Sequence, residues 1–174
     1  MSIRIALLRG VNLAGNKMVS MSDLRDLAER LGLREAKTLL QSGNLVFRSG
    51  KSPAQIETML EKELDCDVFV RTAEEWAAIV TRNPFPDEAK RDPSYLLVTF
   101  LKNAADAAVL QPAIVGSEVA RGKGREIYMF YPEGVGRSKL THGLIEKKLG
   151  TRATARNWNT VLKLAALAEE FSTT

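Results

Sequence analysis

Cysteine and histidine are almost missing from this chain of 174 residues, which holds one of each, Cys66 and His142. That scarcity excludes a disulfide framework within the chain. It also excludes a Cys/His zinc site, an iron–sulfur cluster and a Cys–His dyad by any usual ligand count. Aromatic residues make up only 6%. No stretch approaches the ~18 apolar residues of a membrane span. The opening apolar run, residues 3–8, is interrupted by Arg4 and is too short for a signal-peptide core. These absences lead to the expectation of a soluble, cytoplasmic protein with no metal, no cofactor and no membrane partner. They carry no expectation about oligomeric state.

What is present is an ordinary globular composition, 45% hydrophobic and 26% charged. The length suits one domain, or two small ones packed closely, burying roughly 70% of the unfolded chain's surface. The formal charge is +4 and is unevenly spread. Residues 1–87 carry 12 basic and 12 acidic side chains. Between Arg121 and Lys163 stand ten basic residues against Glu126, Glu133 and Glu146. A local excess of this kind suits an anionic partner, and equally a solvated surface.

Periodicity gives a β-α-β-β-α-β order in each half. In the first half strands are expected at 3–8, 36–40, 45–47 and 67–71. Helices fall after Ser20 or Ser22 and after Ser52-Pro53. A helix capped by Thr72 follows, and Asn83-Pro84-Phe85-Pro86-Asp87 stops it. The second half places strands at 95–101, 118–121, 126–131 and 153–156. Its helices are expected at 104–110, at 138–149 with Ser138 as N-cap, and at 160–171. The expected fold is α+β, two tandem ferredoxin-like β-α-β-β-α-β units packed together, with extra linking and C-terminal helices. The expected boundaries are a first half at 1–82, a linker at 83–93 and a second half at 94–174. No sequence repeat accompanies the repeated order at this level of reading.

Four polar strings are candidate sites. In the loop from Leu8 to Lys17, Gly10 and Gly15 have Walker-like spacing, but Asn16 and Lys17 stand where Lys and Ser or Thr are required. A looser anion site remains, with Arg9, Asn12 and Lys17 as donors; the alternative is a loop shaped for its own turns. Gln41-Ser42-Gly43-Asn44 either grips a ligand through Ser42 and Asn44 or only makes a hairpin turn. Arg137 and Lys139 flank Ser138 at an expected helix start, where their charge opposes the helix dipole unless an anion is bound. Arg156-Asn157-Trp158-Asn159 offers Arg156, Asn157 and Asn159 as ligand contacts, with Asn157 or Asn159 equally fit to cap a helix and Trp158 as a buried anchor or a stacking surface.

His142 has no visible partner for general-base work. Cys66 lies between Asp65 and Asp67, which disfavour a thiolate. Tyr128 and Phe130 share a strand face and are expected to point into a core, so no base-stacking platform is expected.

The strings Leu7-Leu8-Arg9-Gly10-Val11-Asn12, Gln41-Ser42-Gly43-Asn44-Leu45-Val46-Phe47, Arg137-Ser138-Lys139-Leu140-Thr141 and Arg156-Asn157-Trp158-Asn159-Thr160-Val161-Leu162 together resemble one family. It is the bacterial domain of unknown function sixteen-ninety-seven. The resemblance implies a duplicated α+β, ferredoxin-like architecture and no established activity.

The leading functional expectation is a binding module for a phosphate-bearing or other anionic ligand, including a nucleotide or nucleic acid. Its alternatives are a metal-free enzyme acting on such a ligand and a purely structural or interaction domain. Arg9, Asn12, Ser42, Asn44, Arg137 and Arg156 are expected to converge on one site, with catalytic residues unknown. Truncating Arg137 is expected to weaken binding of phosphate-type ligands about tenfold.

Overall fold

The continuous apolar run Ile5 to Leu8, buried on both faces, makes Ser2–Leu8 (β1) the centre of a first antiparallel sheet. β1 pairs with Asn44–Ser49 (β3) on one side and Val68–Thr72 (β4) on the other, while Arg34–Leu39 (β2) pairs with β3. The strand order is β2-β3-β1-β4. Two helices, Met21–Arg30 (α1) and Pro53–Leu64 (α2), cover one face. Ser20 caps α1 by accepting from Asp23 N at 3.0 Å. Ser52 and Gln55 form a capping box at α2. Leu24, Leu27, Ala28, Ile56 and Leu60 pack on Ala6, Leu8, Leu45, Phe47, Val68 and Val70. The computed structural model describes residues 1–10, 20–40 and 43–172.

After β4 come Ala73–Thr81 (α3) and Pro86–Arg91 (α4). Thr72 and Glu75 cap α3 reciprocally. The second sheet follows: Leu96–Asp106 (β5), Val119–Arg121 (β6), Lys123–Phe130 (β7) and, after His142–Leu149 (α5), Ala153–Asn157 (β8). All its pairings are antiparallel and its order is β6-β7-β5-β8. Trp158–Ser172 (α6) ends the described chain. Leu101, Ile127, Met129, Tyr131, Leu140 and Ile145 form the core between this sheet and its helical layer. The fold is thus mixed α+β with two four-stranded antiparallel sheets. No described helix is long and apolar enough to cross a membrane.

Three local expectations are corrected. Residues 104–106 extend β5 by pairing Ala105 with Gly124 and Asp106 with Lys123, so the helical turn there is 3-10 and starts only at Ala107, capped by Asp106. Residues 83–93 hold α4, because Pro86 suits the first helical position. The cap of α5 is Thr141, which accepts from Leu144 N; Ser138 is extended and follows the 3-10 turn Val135–Arg137.

The chain forms two compact units, Met1–Ala78 with Lys163–Thr174, and Ile79–Leu162. α3 starts in the first unit and ends in the second, and α6 does the reverse. The end of α6 therefore groups with the first unit, whereas the expected second half ran through residue 174.

The two units share a register. A row of directly opposed residues crosses the first sheet as Lys37, Val46, Ile5 and Arg71. The matching row of the second is Arg121, Tyr128, Val98 and Arg156. Each row ends on a buried arginine, Arg71 or Arg156, whose Nη1 donates to the carbonyl of the residue before it. The rows are offset by 84, 82, 93 and 85 residues in turn, and only between α2–β4 and α5–β8 does an offset of 85 bring identical residues together. Glu61-Lys62 and Leu64 match Glu146-Lys147 and Leu149, and Arg71 matches Arg156. Glu61 accepts from Val68 N at 3.0 Å, and Glu146 from Ala153 N at 2.8 Å. α2 and α5 both end on a left-handed residue, Asp65 (φ 52°) and Gly150 (φ 68°).

Candidate functional site

Side chains opposite the helical layer of the second sheet alternate with its core residues. They include Phe100, Glu126, Tyr128 and Phe130, with Arg121 opposite Tyr128 at the edge. Tyr128 and Phe130 are 6% and 5% exposed, so neither is a stacking surface. The Tyr128 hydroxyl donates to the Ile79 carbonyl at 2.5 Å. Phe85 stacks on Phe130, with centroids 6.1 Å apart and planes 29° apart. Burial pushes the Tyr128 phenol up to about 12, with Glu126 adding to the effect.

Beside this covered patch lies a pocket of about 180 Å³. Ile79, Pro84 and Tyr128 give it an apolar wall; Arg82, Arg121, Lys123 and Glu126 give it charge, and Gly122 completes the lining. Gly122 is required where it stands. Its φ is +125°, and a Cβ there would meet the Glu126 carbonyl at 3.0 Å. The turn between β6 and β7 thus lies close against the next strand, which keeps Arg121 and Lys123 at the rim. Arg121 lies over the Phe85 ring at 5.8 Å. Among the described residues Arg82, Arg121 and Lys123 make no ion pair.

The residues singled out from sequence have these places. Asn12, Lys17 and Ser42 lie outside the described residues, as does most of the Walker-like loop. In the first unit, Arg9 lies 3.5 Å from Asp67, and Asn44 is fully buried, donating to the Leu39 carbonyl at 2.9 Å. Gly43 (φ +77°) approaches β1 so closely that a Cβ would meet Leu8 Cβ at 2.9 Å.

In the second unit, Arg156 donates to Thr154 Oγ1 and the Ala155 carbonyl, and burial pulls its guanidinium down to about 10. Asn157 caps α6 by accepting from Thr160 N at 3.0 Å. Trp158 is buried and Asn159 exposed. Arg137 and Lys139 are exposed and make no ion pair among the described residues. The Ser138 hydroxyl between them donates to Glu118 Oε1 at 2.7 Å, holding the Glu118 carboxyl below its ordinary value. His142 Nε2 lies 2.9 Å from the Ala153 carbonyl and 3.7 Å from Glu146. Sequence reasoning missed Arg82, Arg121 and Lys123 as site residues; the only signal was the basic excess that begins at Arg121.

An α+β protein with this topology has solved relatives in shape. The chain belongs to the family described as "Protein of unknown function (DUF1697)", which matches residues 1–128. The strings at 137–141 and 156–162 lie beyond the matched part. A similar solved structure is that of the conserved bacterial protein SP0830 from Streptococcus pneumoniae, 22% identical, with a TM-score of 0.74 over 96% of this chain and 98% of that one. At that identity the likeness concerns fold. No curated protein matches.

Proposed function

We propose that this chain is a tandem pair of ferredoxin-like units whose second unit binds a small anionic ligand in the pocket beside the turn between β6 and β7. The observation that carries this reading is the cluster of Arg82, Arg121 and Lys123 around one small pocket, with Glu126 as the single opposing charge. Arg82, Arg121 and Lys123 are solvent-exposed, so they stand together at little cost, and it is their combined positive potential around one pocket that suits an anion.

The small volume favours a compact anion over a nucleotide, since drug-sized ligands fill roughly 300–1,000 Å³. The burial of Tyr128 and Phe130 argues in the same direction, against a single-strand platform. The absence of a nucleophile beside a base in this pocket favours binding over catalysis.

Calorimetric titration of the full chain with inorganic phosphate tests the proposal. Binding is expected, weakening as salt is raised, and Arg121→Ala is expected to lower affinity about tenfold or more, the loss of one charge-assisted hydrogen bond. No heat of binding at low salt would overturn it.

A further inference from the structure

Arg48, Arg91 and Arg121 each lie over a phenylalanine ring, and the first two show what such an arginine does with its edge. Arg48 lies 5.5 Å from the centroid of Phe171 and gives its Nε–H to the Glu35 carboxylate. Arg91 lies 5.9 Å from the centroid of Phe130 and gives its Nε–H to Asp92 Oδ2 at 2.8 Å. In both, a ring takes one face of the guanidinium and a carboxylate takes an N–H in its plane, two uses that a planar fork allows at once. Arg121 lies 5.8 Å from the Phe85 centroid, at the rim of the pocket, and makes no ion pair among the described residues.

Phe85 is itself firmly held. It stands between Pro84 and Pro86, and its N–H donates to Asn83 Oδ1 at 2.9 Å. Its ring is buried and stacks on Phe130. A long side chain loses rotamer freedom when it grips a ligand. A fixed ring beneath Arg121 takes up that loss in the folded protein, before any ligand arrives.

We propose that Phe85 is the positioning residue of the pocket. It holds Arg121 with its N–H edge presented, and the ligand's oxygens take the place there that Asp92 takes at Arg91. The ligand therefore ends in an oxyanion with two adjacent oxygens, as in a phosphate or a carboxylate, which fit the fork as a single-atom anion does not. Phe85 has this role only if the pocket takes an anion, as read above.

Inorganic phosphate is titrated calorimetrically into the intact chain, Phe85→Leu, Phe85→Tyr and Arg121→Lys. Leucine keeps apolar volume and removes the ring. Affinity is expected to fall about three- to tenfold, the freedom of one long side chain. Tyrosine keeps a ring and is expected to stay within about twofold of the intact chain. Lysine keeps the charge and loses the fork, and is expected to lower affinity about fivefold or more. In the intact chain the Arg121 Nε–H resonance, assigned by its disappearance in Arg121→Lys, should move downfield with phosphate and stay in place with chloride at equal ionic strength. Phosphate binding that needs Arg121 but is unchanged in Phe85→Leu overturns the role of Phe85 and leaves the anion site standing. Equal losses in Phe85→Leu and Phe85→Tyr overturn the need for a ring. Arg121→Lys binding as tightly as the intact chain overturns the fork. No phosphate binding to the intact chain overturns both readings. The resonance is read on the intact chain, so a poorly folding Phe85→Leu does not spare the proposal: an Nε–H that bound phosphate leaves unmoved overturns it.

Discussion

In the first unit Lys37 lies 5.3 Å above the Phe171 ring, and Arg48 lies 5.5 Å from the same ring. At the register-equivalent corner of the second unit, Arg121 lies 5.8 Å above Phe85, which stacks on Phe130. Lys37 and Arg121 head matching rows, and Arg48 and Phe130 each stand two residues further along the next strand. Both corners are therefore one arrangement, an edge-strand cation over a phenylalanine supplied by the segment that enters from the other unit.

Their surroundings differ. In the first corner the chain itself neutralises the cations: Lys37 reaches Glu170 at 4.0 Å, and Arg48 pairs with Glu35 and donates to the Phe171 carbonyl. In the second corner no carboxylate among the described residues pairs with Arg82, Arg121 or Lys123, and a pocket remains. The two corners thus share a layout and differ in whether the chain itself engages their cations, and the proposed site lies where cations and space stand together.

The largest effect should come from the shared phenylalanines. Phe85 and Phe171 are each 3% exposed, and truncating a buried phenylalanine costs about 3–5 kcal/mol. Phe85→Ala and Phe171→Ala should each lose stability of that order in urea denaturation. A loss below about 1 kcal/mol in one of them would break the equivalence of the corners.

The next test separates the corners by charge. Arg121→Ala should lower phosphate affinity about tenfold, while Lys37→Ala should leave it within about twofold. Both should cost about 1 kcal/mol of stability or less, the scale of an exposed cation–π contact. Equal losses of phosphate affinity would mean that the engaged cations of the first corner also bind.

Alkali offers a reporter for one unit alone. All three tyrosines, Tyr95, Tyr128 and Tyr131, fall in Ile79–Leu162. Burial pushes Tyr128 and Tyr131 up to about 12 from the ordinary 10. A phenol raised in the folded state binds its proton more tightly there than in the unfolded chain. Its contribution is complete below pH 10 and is lost as pH rises through about 12. Phenolate absorbance should show two delayed ionisations, one of which disappears in Tyr128→Phe. Ionisation of both near pH 10 without unfolding would contradict their burial.

Much of the fold was legible because it rests on local signals. Ser52 and Thr72 cap the helices they were expected to cap, Ser20 rather than Ser22 caps α1, and the short apolar runs of β1, β3 and β4 are plain in the sequence. The misread cap at Ser138 shows the limit: Ser138 and Thr141 are both fitting caps, and Ser138 is drawn away by Glu118, twenty residues earlier. The shared strand order of the two units was legible as a pattern of elements, while the few identical residues at an offset of 85 are too thinly spread to be seen without the strand registers. The pocket was harder still. Arg82 lies in an expected linker, far in sequence from Arg121 and Lys123, and no spacing rule joins them. Arg156 and Asn157 looked like ligand donors because the same polar groups serve a buried strand and a helix cap.

The smallest effect concerns Arg137, which the sequence alone favours as an anion contact. It ends the 3-10 turn Val135–Arg137, well exposed, and its neighbour Ser138 is the residue that anchors the turn through Glu118. Truncating an exposed side chain there leaves no cavity and should change stability by about 0.5 kcal/mol or less. Arg137 is also absent from the lining of the cationic pocket. Its charge can then act on a bound phosphate only through solvent, where screening at 0.15 M salt sets in within about 8 Å. Arg137→Ala should therefore reduce phosphate affinity less than about threefold, with the difference shrinking further in salt. A tenfold loss in Arg137→Ala with Arg121→Ala unchanged would move the anion site from the turn between β6 and β7 to the turn before α5. The contrast between the two corners would then no longer support the proposed site.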